Sequence, residues 1–133
     1  MSATVAATAS DDEIIGLIDQ WVSLLEQERY EDAHAFLETD PSWSAEVLKE
    51  IIEAYGDEAN NRVTLRNNGT ALDGAGKVEA ARQRKEVSWA DADRGDVWYD
   101  LNINGLGSDL TATFNLEKRG ERIHLILQDI HVM

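Results

Sequence analysis

Apolar residues first recur at helical spacing along the chain. Ile14, Leu17, Ile18, Trp21, Leu24 and Leu25 follow one another three or four residues apart, with Ile15 and Val22 widening the stripe and Asp12, Asp19, Gln20 and Gln27 opposite it. Ser10-Asp11-Asp12-Glu13 ahead of the stripe has the form of a capping box, in which the serine hydroxyl accepts from the N–H of Glu13 and the glutamate reaches back. A helix therefore begins at Ser10, and the first nine residues are expected to form a flexible tail to a single domain spanning 10–133. After a break near Glu28, Tyr30, Ala33, Phe36 and Leu37 predict a short second helix. Asp40-Pro41 then predicts the start of a third, since proline at the first helical position loses no hydrogen bond. Its stripe is Trp43, Val47, Leu48, Ile51, Ile52 and Tyr55, with Gly56 as the stop.

Beyond Gly56 the period becomes two and Gly, Asn and Asp punctuate the chain. Asn61–Arg66 reads as a strand, and 77–84 as an ambiguous stretch leading into a strand at Glu86–Trp89. Asp96–Asn104, Asp109–Lys118 and Glu121–Val132 are three strands joined by turns too short for anything but an antiparallel meander. One face carries Val97, Tyr99, Leu101, Ile103, Leu110, Ala112, Phe114, Leu116, Ile123, Leu125 and Leu127, and is expected to meet the helices. The reverse carries Trp98, Asp100, Asn102, Thr111, Thr113, Asn115, His124, Ile126, Gln128 and Ile130, a polar and nearly neutral set. Helices first and an antiparallel sheet second make an α+β domain with N-terminal helices packed on one face of a curved sheet.

That order of elements, at this length, resembles the nuclear transport factor 2-like (cystatin-like) superfamily, in which N-terminal helices pack into a curved sheet. Locally, Ser108-Asp109-Leu110-Thr111-Ala112-Thr113-Phe114 and Gln128-Asp129-Ile130-His131-Val132 are similar to segments of a small bacterial family to which no activity is assigned. The resemblance implies a fold and brings no catalytic residue with it.

Charge narrows the function. The 26 acidic and 12 basic residues leave a net charge of −14, which repels nucleic-acid backbones and anionic membranes, so neither is expected as a partner. Residues 1–60 hold 15 acidic and 2 basic residues, against 11 and 10 in 61–133. Only 4 lysines accompany 8 arginines, a bias shared with proteins of salty habitats, but large apolar residues are not depleted. The absence of cysteine removes disulfides, thiolate metal sites and cysteine nucleophiles. His34, His124 and His131 do not pair at metal-ligand spacing, and no cofactor is called for. Gly74-Ala75-Gly76-Lys77 lacks the first glycine and the hydroxyl of a phosphate loop. Met1–Ser10 has neither a basic stretch nor an apolar run, so a cytoplasmic protein is expected.

Two classes of function follow. The first is a small acidic binding protein of immunity or inhibitor type, whose helical carboxylates Asp19, Glu26, Glu50 and Glu53 dock a basic protein partner. The alternative is a small-pocket isomerase- or dehydratase-like enzyme. Its base would be the pair Asp129 and His131, two apart on a strand and continuing the stripe beyond Leu127, with Trp43, Tyr55 and Tyr99 as pocket walls. The same pair reads more simply as a polar cap on the sheet's end, and His34 beside Asp32 as a solvated helix residue. Trp89 and Trp98, flanking the Asp91–Asp96 turn, either form an interface or pack across strands. The near-neutral sheet face with Trp98, Thr113, Ile126 and Ile130 predicts a homodimer through the sheet, as the superfamily resemblance also implies.

Overall fold

The computed structural model describes residues 3–54, 63–65, 85–103 and 106–132, the side chains of 106–109 and 132 excepted. Ser10 caps helix α1 (Asp11–Glu26), its side chain accepting from the N–H of Glu13, and Ile14, Leu17, Ile18, Trp21, Val22 and Leu25 are buried along it. The helix ends where Glu28 takes a left-handed φ of 60°, with Arg29 N–H bonded to Leu24 O and Glu28 N–H to Leu25 O, a Schellman arrangement with glutamate in the usual glycine place. Helix α2 (Tyr30–Phe36) follows at once.

Helix α3 runs over Ala45–Glu53, capped by Ser44, and so begins later than Asp40-Pro41 suggests. The Asp40 carboxylate accepts from Ser42 N–H at 2.9 Å, and Asp40 O from Trp43 N–H at 3.0 Å. Asp40 thus closes a turn of its own before the helix. Tyr55, Gly56 and 66–84 lie outside the described residues.

Among the described residues the sheet holds seven strands: β1 (Thr4–Ala6), β2 (Glu38–Thr39), β3 (Val63–Thr64), β4 (Lys85–Trp89), β5 (Arg94–Ile103), β6 (Leu106–Arg119) and β7 (Arg122–Val132). Strands β5 to β7 form the expected antiparallel meander, β4 extends it by pairing antiparallel with β5, and β3 pairs with β5 beyond β4. Residues 4–6, expected in a tail, pair antiparallel with 122–124 of β7 and belong to the sheet. Arg122 fastens them, its Nε donating to Thr4 Oγ1 at 2.8 Å and its Nη2 to Thr4 O at 2.9 Å. Strand β2 pairs with β7 in parallel, the one such pairing in the described sheet. The β6–β7 turn has two residues, and Gly120 supplies its positive φ of 62°.

The three helices cover one face of this curled sheet, giving the α+β architecture of the cystatin-like kind. Between the layers a single buried cluster joins α1, α2 and α3 to the inner sides of the strands, with Trp21 edge-on to Phe114 at 5.3 Å between centroids. Two irregularities bend the ladder, one between Asp100 and Asn102 of β5 and one at Gln128 of β7. No described helix is long and apolar enough to cross a membrane.

Candidate functional site

The bulge at Gln128 decides where the carboxylate–imidazole pair stands. Phe114 of β6 faces Leu127 of β7, but Thr113 faces Asp129, so β7 carries one extra residue there and its alternation flips. Ile130, expected outside, is buried against Ala112 and joins the core. Asp129 and His131, expected beyond Leu127 on the helix side, stand on the outer face across from Thr113 and Thr111. This corrects both readings of the strand's end. His131 Nδ1 is 3.1 Å from Asp129 Oδ2, with the two side chains 37% and 56% exposed, so the pair stands at the surface of the sheet and is not a base enclosed in a pocket.

Around it lies a shallow groove of about 300 Å³ lined by Asp96, Trp98, Thr113, Gln128, Asp129 and His131. The Trp98 and His131 rings meet edge to face at 6.4 Å. Beneath them Thr111 and Thr113 are buried although they point outward, and the Thr111 hydroxyl donates to Asp100 at 2.8 Å. Trp89 is on the opposite side of the sheet from Trp98: it pairs with buried Gly95, whereas Trp98 pairs with Glu86 and Thr113. The two indoles therefore do not pack on one another. Trp89 covers part of the core and carries Lys118 Nζ 5.0 Å above its ring.

The residues named as pocket walls do not converge on Asp129 and His131. Tyr99 is 1% exposed in the core, and its hydroxyl donates to Asp19 Oδ1 at 2.5 Å. Burial pushes its ionisation well above the ordinary tyrosine range, and the Asp19 hydrogen bond and charge push it further. Lys85 Nζ lies 3.2 Å from the same carboxylate oxygen, which ties α1 to β4 and β5. Trp43 is half-buried against the core, and its carbonyl lies 3.1 Å from His34 Nε2, which also has Thr39 Oγ1 at 3.3 Å. His34 thus pins the α2–α3 connection instead of being solvated. Tyr55 lies outside the described residues.

A polar cluster that sequence reading missed sits on the outer face, at the other end of β7. Glu38 of β2 accepts from Arg119 Nη1 at 2.7 Å and lies 2.9 Å from His124 Nδ1, while Arg119 Nη2 donates to Glu117 at 2.5 Å. Burial alone would raise the Glu38 ionisation, but hydrogen bonds and charges from Arg119 and His124 outweigh it and hold the carboxyl below its ordinary value. The four residues come from three strands, and nothing in their local sequence marks them. No grouping of three or more metal-ligating side chains occurs among the described residues.

The helical carboxylates divide into two sets. Asp19 is used by Tyr99 and Lys85, and Glu26 accepts from Leu65 N–H at 2.6 Å, so both serve the fold. Glu53 is half-buried, whereas Glu50 is exposed, as are Asp11, Asp12, Glu31 and Glu46. Between α1 and α2 runs an open groove of about 390 Å³, lined by Gln20, Leu24, Arg29, Asp32, Ala35 and Phe36. Comparison of the chain with protein-family models, curated proteins and solved structures gives no match.

Proposed function

We propose that this chain is a small acidic binding protein, of the immunity or inhibitor kind, that docks a basic partner through its helical layer. The observation that carries this reading is where the charges are compensated. Residues 1–60, which hold all three described helices, carry 15 acidic and 2 basic residues, against 11 and 10 in 61–133. On the helices, Asp11, Asp12, Glu31, Glu46 and Glu50 are exposed and form no ion pair among the described residues. A protein under selection for stability alone gains nothing from concentrating like charges on one layer, whereas a field of one sign speeds encounter with an oppositely charged surface.

Asp19 and Glu26 drop out of the docking set, because their carboxylates are engaged within the fold, and so does Glu53, which is half-buried and has a partner; Glu50 stays, and Glu31 and Glu46 join it. The isomerase- or dehydratase-like alternative is not supported, since its base stands on the outer face of the sheet, away from the core, and its tyrosine is committed to Asp19. The chain is further proposed to pair as a two-fold dimer through the outer sheet face, resting on Trp98, Thr113 and Ile126 without Ile130.

The test is affinity capture from the host at low and at raised salt, followed by binding kinetics on the recovered protein. A basic partner is expected, lost at raised salt, whose association slows when Glu31, Glu46 and Glu50 become glutamine. Recovery of no basic partner, or association indifferent to salt and to these changes, would overturn the reading.

A further inference from the structure

The groove between α1 and α2 gives the docking surface a shape as well as a charge. Leu24 and Phe36 form its half-buried apolar floor and Ala35 an exposed small wall. Gln20, Arg29 and Asp32 complete its lining. Arg29 is the cation at this groove, and it is bonded to Asp32 at 2.8 Å. Glu31 on α2 and Glu13 on α1 are exposed, the latter with its Oε1 3.5 Å from the Ser10 hydroxyl. An apolar trough with an anionic rim selects against a second copy of this chain, whose own helical layer bears the same charge.

We infer that the α1–α2 groove receives a basic amphipathic helix of the partner, apolar side chains seated on Leu24 and Phe36 and Lys or Arg side chains facing Glu13 and Glu31. The recognition mode is a helix in a groove, read as apolar anchors at i, i+3, i+4 and i+7. It rests on the proposed docking of a basic partner and adds to it that pattern, and not charge alone, is recognised.

The probe is a synthetic Leu/Lys peptide with leucines at that spacing, compared with a peptide of the same composition whose leucines are scrambled. Binding to the full chain is followed by fluorescence anisotropy. The patterned peptide is expected to bind at least about tenfold more tightly than the scrambled one. Leu24→Gln and Ala35→Gln should erase that advantage; Ala35 is exposed, so its replacement fills the groove without touching the core. Glu13→Gln with Glu31→Gln should weaken both peptides alike and flatten their salt dependence. Equal binding of both peptides, unmoved by the two groove variants, overturns the groove and leaves the acidic docking reading standing. If neither peptide binds at micromolar concentration, both fall.

Discussion

Gly16 and Gly95 should respond in opposite directions to the same added methyl group. Gly16 is inside α1, where glycine is less favourable than alanine by about 0.5–1 kcal/mol because it loses more backbone freedom on folding. Its built Cβ meets nothing within 4 Å, so Gly16→Ala should return that amount, raising the melting temperature by roughly 2–5 °C in a domain of this size. Gly95 is needed for space, because its φ is ordinary for any residue but its Cβ would sit 2.6 Å from Ser88 O, 3.0 Å from Trp89 Cε3 and 3.2 Å from Trp89 Cα. Two of those three atoms are backbone of the paired strand, which cannot withdraw without breaking the β4–β5 ladder. Overpacking of this kind costs about 1–3 kcal/mol. Urea unfolding of the three proteins checks both signs, with the midpoint moving up for Gly16→Ala and down for Gly95→Ala at unchanged slope. A neutral or stabilised Gly95→Ala would mean that Trp89 does not lie across from Gly95, and the β4–β5 register would have to be redrawn.

Trp21→Ala should cost about 3–5 kcal/mol, since a fully buried indole packed on Phe114 leaves a cavity the sheet cannot fill; chemical denaturation measures it, and an unchanged midpoint would remove Trp21 from the core. Tyr99→Phe should cost about 1.5–3 kcal/mol, toward the lower end because the accepting Asp19 is 38% exposed. In the wild type, tyrosinate absorbance of Tyr99 should emerge with unfolding and not before, as the raised folded-state ionisation contributes stability below the ordinary tyrosine value and loses it as pH rises above that value. Glu38→Gln should lower the melting temperature near neutral pH, and the difference should vanish in acid. The lowered carboxyl stabilises above its unfolded value and ceases to do so as pH falls through the folded one; a difference that persists in acid would refute the network. Ile126→Lys should shift the proposed dimer to monomer in light scattering, and a wild type that is monomeric at high micromolar concentration would end that proposal.

The elements legible in the sequence are those that signal themselves locally. Helix α1 carries a capping box and about three turns of apolar stripe, and β5 to β7 carry alternation long enough to assign a face. Elements of two or three residues carry no period at all. Strands β1 and β2 exist because β7 has an open edge for them to pair with, and that edge is visible only once the sheet is assembled. The Glu38, Arg119 and His124 cluster is hidden for the same reason, since Glu38 is more than eighty residues of chain from the other two and meets them through that pairing. At the start of α3 the difficulty is different: Asp40 and Ser44 are both competent caps, and the choice falls to Ser44 because Asp40 is spent on the preceding turn.

The carboxylate–imidazole pair shows how a strand's parity can mislead. Counting by twos from Ile123 puts Asp129 and His131 inside and Ile130 outside, and the count is right until Gln128. No glycine or proline marks the bulge there, because the extra residue is an exposed glutamine that meets no steric objection. Composition does hold a faint signal. An unbroken alternation would bury an aspartate and a histidine while exposing an isoleucine, at a cost of several kcal/mol for the buried charge. One bulge reverses all three placements at the expense of one irregular pair in the ladder. The same energetic preference that completes the core with Ile130 thus carries Asp129 and His131 to the outer face beside Trp98.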